Sequence, residues 1–211
     1  MLEQLSFDGL PPRTGPPRTG PPRTGHPRPR RKPTDRLFLA FFPDADAARE
    51  TAKCANQLRG DNGLSGRPIA TERFHITLYH LGDFDALPRD IVAAAHEAAA
   101  SVMAAPFKIT LDRAGNFHRK GGNLPLVLRG GDGVAEAVAF QKILAGAMRN
   151  AGCRAGAELH FTPHMTLLYD DRNVPEQPVE KISWIAQEFV LVHSLLGQAR
   201  HIRLGRWPLR G

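Results

Sequence analysis

Two stretches of this chain share one pattern, and any fold must give both of them a place. Phe74-His75-Ile76-Thr77-Leu78 and Pro163-His164-Met165-Thr166-Leu167 each read His, apolar, Thr, Leu, with the histidines 89 positions apart. Successive side chains of a strand point to opposite faces. Arg73, His75, Thr77 and Tyr79 therefore point one way, while Phe74, Ile76, Leu78 and His80 point the other. In the second stretch Thr162, His164 and Thr166 share a face, opposite Phe161, Pro163, Met165 and Leu167. Each strand then presents an imidazole and a hydroxyl side by side above an apolar anchor. Two such strands facing one cleft supply two imidazoles and two hydroxyls, a set suited to metal-free acid–base chemistry on a phosphate.

The 211 residues suit one domain, or two small lobes packed together. The net charge of +7 points toward nucleic acid, but most of it lies in one place. Residues 1–36 hold eight Arg or Lys against three acids, leaving twenty basic against eighteen acidic residues for everything after them. Within the remainder no acid follows Glu188, while Arg200, Arg203, Arg206 and Arg210 do, so that segment can give the cleft a local positive field. Cys54 and Cys153 have no metal-type spacing and read as two small, buried or partly buried residues of a reduced compartment. The N-terminus shows no basic start followed by an apolar run, and no stretch approaches the roughly 18 apolar residues of a membrane helix. A cytoplasmic monomer without membrane contact is expected.

Residues 11–25 are three copies of Pro-Pro-Arg-Thr-Gly, followed by His26-Pro27-Arg28-Pro29-Arg30-Arg31-Lys32-Pro33. A repeat with so little apolar content cannot bury a core, so residues 1–34 are expected to be a disordered or polyproline-II tail. It reads as an unconstrained extension, or as a segment that holds RNA by phosphate attraction or docks through its prolines. A domain is expected over residues 35–211.

Arg36-Leu37-Phe38-Leu39-Ala40-Phe41-Phe42 reads as a buried strand. Pro43-Asp44 opens a helix through about residue 58, and a Gly-rich loop leads into the first motif strand. Pro88 introduces an Ala-rich helix to about residue 104. Strands follow at 107–112 and 124–128, and then a helix over 133–150 with Val134, Val138, Ile143 and Ala147 on or near one face, capped by Gly152. After the second motif strand, residues 171–178 read as a polar flap, and two last strands are expected at 189–196 and 199–204. Each motif strand follows a helix that itself follows a strand. That order predicts an α+β fold of two similar lobes, each giving one motif to a shared cleft.

Imidazole can take or give a proton near pH 7. Across a phosphodiester one ring can activate water while the other protonates the leaving oxygen, each role contributing about 10²–10⁴-fold in rate. The Thr hydroxyls are donors suited to non-bridging phosphate oxygens. A metal site is the other chemical reading. His160 and His164 have the spacing of a helical metal pair, but Pro163 argues against a helix and no acid stands at ligand spacing. His80 reads as a core or interface residue, and His118 beside Arg119 and Lys120 as a solvated side chain that could touch substrate. His96, His193 and His201 carry no accompanying pattern, and no nucleophile-elbow motif is present.

These motifs resemble the two-histidine phosphoesterase superfamily, with its HXTX signature, and in particular the LigT-like RNA 2′,3′-cyclic phosphodiesterases. The resemblance rests on Arg36-Leu37-Phe38-Leu39-Ala40, on both motifs with Leu81-Gly82 after the first, and on Trp207-Pro208-Leu209, and it covers about residues 35–210. It implies a bilobal α+β fold with two pseudo-symmetric antiparallel sheets flanked by helices and a cleft between the lobes. It also implies hydrolysis of RNA 2′,3′-cyclic phosphate ends to 2′-phosphomonoesters with no cofactor. His75 is then the proton donor, His164 the proton acceptor, and Thr77 and Thr166 the phosphate-binding hydroxyls; exchanging the two histidine roles changes no sequence feature. His80 stands where an aromatic is usual. Members also act on 2′-5′-linked oligonucleotides, and a non-catalytic RNA-binding protein is the alternative of another class.

Overall fold

The computed structural model describes residues 32–117, 121–153 and 161–211. The Pro-Pro-Arg-Thr-Gly repeats, His118 with Arg119 and Lys120, and His160 of the metal reading lie outside the described residues.

The elements are β1 (Asp35–Phe41), α1 (Ala45–Asp61), β2 (Ile76–Phe84), α2 (Arg89–Ala100), β3 (Phe107–Asn116), β4 (Leu124–Arg129), α3 (Ala135–Asn150), β5 (His164–Asp170), β6 (Gln177–Ala186), β7 (Glu188–Leu195) and β8 (Arg200–Pro208). Local chemistry explains several boundaries. The Asp44 carboxylate accepts from the backbone N–H of Ala47 at 2.8 Å and caps α1. Gly152 follows α3 at a φ of 76°, a conformation with no steric cost for glycine.

All strand pairs are antiparallel, in the order β6-β3-β4-β5-β2-β1-β7-β8. The two separate sheets expected from the sequence are realised as one eight-stranded order. Among the described residues its halves, β6-β3-β4-β5 and β2-β1-β7-β8, meet through a single bridge, Ile76 to Met165. Outward from that bridge, each half begins with a motif strand followed by three others. The physical reason for the single sheet is that the motif strands approach closely enough to pair at one point, although they diverge on either side of it.

The two faces of the sheet differ. Leu37, Leu39, Phe41, Ile76, Leu78, Met165, Leu167 and Leu191 share a large buried cluster with Ala55 and Leu58 of α1, Ala95 and Ala99 of α2, and Phe140, Leu144 and Met148 of α3. On the other face Phe38, Ala40, Val190 and Val192, with Phe42 against them, form a small apolar cluster that includes no helix residue. The first strand is therefore apolar on both faces for two different reasons. One face lies under helices and the other floors an open surface.

Both motifs share a deviation from regular pairing. Thr77 pairs with Ala40 and Tyr79 with Leu39, so Leu78 is an extra residue; Thr166 pairs with Val127 and Leu168 with Leu126, so Leu167 is its counterpart. The Leu common to the two motifs is thus the bulged residue in each. A bulge shifts the side-chain phase. Leu167 and Leu168 are consecutively buried, and Tyr79 packs on the core beside Leu78 with its hydroxyl donating to the Cys153 carbonyl at 2.6 Å. A second shift lies between Leu37 and Phe38, opposite Leu81. Leu81 is buried and His80 is exposed, with its Nε2 3.1 Å from Asp83 Oδ1. The expected core position of His80 is therefore corrected, because the strict alternation behind it does not allow for bulges.

Three further expectations change. Gln177 and Pro178, expected in the flap, begin the additional strand β6, in which Ile182, Trp184 and Ala186 alternate inward. It is an edge strand, which is where a proline within a strand is tolerated. The buried face of α3 is Ala137, Phe140, Leu144, Ala145 and Met148, whereas Ile143 is 52% exposed. Phe140 decides that face by packing against Phe41, Phe107 and Phe189. Finally, α2 ends at Ala100, before the expected residue 104.

Candidate active site

The bridge that joins the two halves also assembles the site. Ile76 and Met165 are fully buried and point to the helix side. Antiparallel pairing at that point sets His75 beside Thr166 and Thr77 beside His164, all four on the open face. All four are partly exposed, between buried neighbours. The structure thus brings the four sequence-derived residues to one patch, two from each half.

Their ring nitrogens are not equivalent. Nδ1 of His75 lies 2.7 Å from the carbonyl oxygen of Arg73, and Nδ1 of His164 lies 2.8 Å from that of Thr162. A carbonyl only accepts, so in both rings Nδ1 carries the hydrogen and donates it. Each backbone turn two residues upstream thereby fixes the tautomer and leaves Nε2 for the site. In a neutral ring Nε2 is a lone pair, and in a cationic ring it is a donor.

Each imidazole has an aromatic neighbour capped by an arginine. His75 stacks on Phe38 at 4.8 Å and lies 5.9 Å from Phe42, above which the Arg203 guanidinium sits at 4.6 Å. His164 meets Phe117 edge-on at 4.8 Å, and the Arg129 guanidinium lies 5.2 Å from that ring. The halves differ in what restrains the arginine. Arg129 is tied to Glu176 at 2.5 Å, whereas among the described residues Arg203 has no carboxylate within ion-pair distance. A cavity of about 260 Å³ beside His164 is lined by Asn116, Phe117, Arg129, Asn173, Val174, Pro175 and Glu176.

A third histidine belongs to this patch. The His201 ring lies edge-on to His75 at 5.3 Å and to Phe38 at 5.5 Å. Burial pushes the His75 pKa down to about 4, against the opposing effect of the Arg73 carbonyl, with Arg73 and His164 adding to the depression through their charges. Burial likewise lowers His201 to about 4, helped by His75 and Arg73. Both rings are therefore neutral at pH 7 in the unliganded protein. Among the described residues, three nitrogens here are buried without a hydrogen-bond partner: Arg73 Nε, Arg129 Nε and His201 Nδ1. Two belong to cations that can only donate. Unsatisfied buried donors are costly, and a bound anion would satisfy them.

Sequence reasoning placed His75, Thr77, His164 and Thr166 but missed His201, Arg129, Phe117, Phe38 and Phe42. The alternation Phe38-Ala40-Phe42 holds a signal for a second apolar face. His201 and Arg129 become visible only through cross-strand register, with Ser194 and His164 respectively. Among the described residues no group of three His, Cys, Asp or Glu is placed to hold a metal ion. His96 instead packs on Trp207 at 5.0 Å, and His193 Nε2 pairs with Asp35 Oδ1 at 2.5 Å. Neither cysteine is in a disulfide: Cys54 is partly buried and Cys153 buried.

Comparison with known proteins adds to this geometry. Residues 40–196 match the model of the family described as the 2′-5′ RNA ligase superfamily. The chain is 30% identical over 157 residues to the RNA 2′,3′-cyclic phosphodiesterase of Escherichia coli (strain K12), a match covering 69% of this chain and 81% of that protein. It is similar to the crystal structure of E. coli LigT in apo form, with a TM-score of 0.66 and 25% identity over 86% of this chain and all of that one. The crystal structure of E. coli LigT complexed with 3′-AMP gives a TM-score of 0.64 and 27% identity over 85% of this chain and all of that one.

Proposed function

The chain belongs to the 2′-5′ RNA ligase superfamily of two-histidine phosphoesterases, and on that premise we propose that it hydrolyses RNA 2′,3′-cyclic phosphate ends to 2′-phosphomonoesters without a metal ion. The observation that carries this reading is the pair of imidazoles flanking one β-bridge, each with Nδ1 satisfied by a carbonyl and Nε2 left for the site.

The cyclic phosphate sits between the two rings. Thr77 and Thr166 donate their hydroxyl hydrogens to its non-bridging oxygens, and the orphaned donors of Arg73 and Arg129 face the same negative charge. Nε2 of His164 takes a proton from water, and the water oxygen attacks phosphorus. The bond from phosphorus to O3′ breaks, and Nε2–H of His75 gives its proton to O3′. A 2′-phosphomonoester and a free 3′-hydroxyl leave. His164 then loses its proton to solvent and His75 regains one. Because the unliganded His75 is neutral at pH 7, its proton must arrive with the anionic substrate, whose charge raises the pKa of a neighbouring imidazole.

No helix among the described residues is long and apolar enough to cross a membrane. A cytoplasmic monomer acting on RNA ends fits this reading. The products test it. Phosphorus NMR of 2′,3′-cyclic AMP treated with the protein is expected to show adenosine 2′-monophosphate alone; a 3′-monophosphate would reverse the leaving oxygen and overturn the assignment.

A further inference from the structure

We propose that β8 is the wall along which the RNA body leaves the site, so that the protein takes cyclic-ended oligonucleotides in preference to cyclic mononucleotides. This rests on the reading of His75 as the group at the leaving oxygen.

Register places the residues concerned. Val190 pairs with Arg206, Val192 with Arg203 and Ser194 with His201. Directly paired residues share a face of the sheet. Val190 and Val192 belong to the apolar cluster on the open face, so Arg206, Arg203 and His201 stand on the face that carries the motif residues. An irregularity between Leu191 and Val192 resets the phase, which lets Arg203 and Arg206 share that face despite their odd spacing. The row begins at His201 against His75, continues through Arg203 over Phe42, and ends at Arg206.

Charge singles out this wall. Arg203 is exposed and without an acidic partner among the described residues, and Arg206 has only Glu188 at 3.5 Å, both half-exposed. A pair of that kind screens little and contributes little. On the opposite wall Arg129 and Arg113 both turn to Glu176, at 2.5 and 3.5 Å. Among the described residues, the positive charge least compensated by carboxylates therefore lies on the β8 side, next to His75.

The chemistry selects the same side independently. In a displacement at phosphorus the attacking and leaving oxygens lie on opposite sides. With His164 at the water and His75 at O3′, the ribose and the chain on its 5′ side lie toward His75. Phosphates of that chain would meet Arg203 and Arg206. Backbone phosphates bound this way carry no sequence information, so the preference is for length rather than for base.

The test compares two substrates for the full chain: 2′,3′-cyclic AMP and a single-stranded RNA octamer ending in a 2′,3′-cyclic phosphate. The unmodified protein is expected to favour the octamer in kcat/KM, more strongly at low salt. In the double variant Arg203→Gln, Arg206→Gln that preference is expected to fall about tenfold. The slope of log kcat/KM against log salt for the octamer is expected to shrink by about 1.4, at ~0.7 for each single-strand phosphate that is no longer neutralised. Arg113→Gln, on the opposite wall, is the comparison and is expected to keep the preference. An unmodified protein that hydrolyses cyclic AMP but shows no octamer preference overturns this inference alone. So does a preference that survives the double variant or falls equally in Arg113→Gln. An unmodified protein that hydrolyses neither substrate overturns the proposed function instead.

Discussion

At the scale of single residues, His75 carries the sharpest demand. Its ring is partly buried and hydrogen-bonded at Nδ1, and its pKa is lowered to about 4, so free protein at pH 7 holds it neutral. A proton donor must be charged. A phosphate anion beside the ring favours the cation and so raises its pKa. Binding of a phosphate ligand should therefore be accompanied by proton uptake. Titration calorimetry of adenosine 2′-monophosphate at pH 7, repeated in buffers of different ionisation heat, should detect it, and the uptake should vanish in His75→Gln. No uptake would make His75 the acceptor and exchange the two roles. Residues differ in how far their own neighbours reveal them. His75, Thr77, His164 and Thr166 follow from two copies of a short alternating pattern. His201 does not, because nothing in its own neighbourhood marks it, and Arg203 is marked only as one of four arginines in an acid-free segment; both join the site through pairing of β8 with β7, which brings residues over a hundred positions away to His75.

Among the elements, the two motif strands show both the reach and the failure of strand logic. Alternation holds up to the Thr of each motif and then breaks at the Leu, where Leu78 and Leu167 are inserted against β1 and β4. The repeated Leu is legible as a shared letter, yet its meaning as a bulge lies in the partner strand, which a single sequence does not display. The exposure of His80 escapes strict alternation for that reason. β6 is hard to read because Pro178, Glu180 and Lys181 break its opening half, and only Ile182, Trp184 and Ala186 show the inward alternation. On α3 the spacing of aliphatic residues suggests one face, but the ring of Phe140 fills the space among Phe41, Phe107 and Phe189 and turns the helix to suit.

The whole molecule is organised by the bridge between Ile76 and Met165. Each half places its motif strand innermost, so the paired histidines stand at the one point where the halves join. The strand–helix–strand order before each motif is enough to anticipate two related halves, but not that they form a single sheet. Around that near-symmetry the charge of the described residues is uneven, with arginine paired to a carboxylate beside His164 and without one beside His75. The basic N-terminal segment supplies none of the four motif residues. Thr34 already belongs to the sheet, its N–H donating to Phe84 and its carbonyl accepting from Leu196, so a deletion should end at Arg31. Protein lacking residues 1–31 is expected to turn over cyclic AMP within about twofold of the full chain, since chain termini are where truncation is best tolerated. A collapse of that turnover would make the segment part of the catalytic unit, and a loss confined to RNA affinity would favour a binding role for it.

The central claim is that two histidines, and no metal, perform the hydrolysis. Its most direct test is the initial rate on 2′,3′-cyclic AMP in the presence of EDTA, for the unmodified protein, His75→Ala and His164→Ala. The unmodified protein should remain active, and each variant should lose at least ~10²-fold in kcat, the lower end of what one positioned acid or base supplies. Unchanged rates in both variants would contradict the two-histidine mechanism, and complete loss of the unmodified activity in EDTA would contradict the metal-free one.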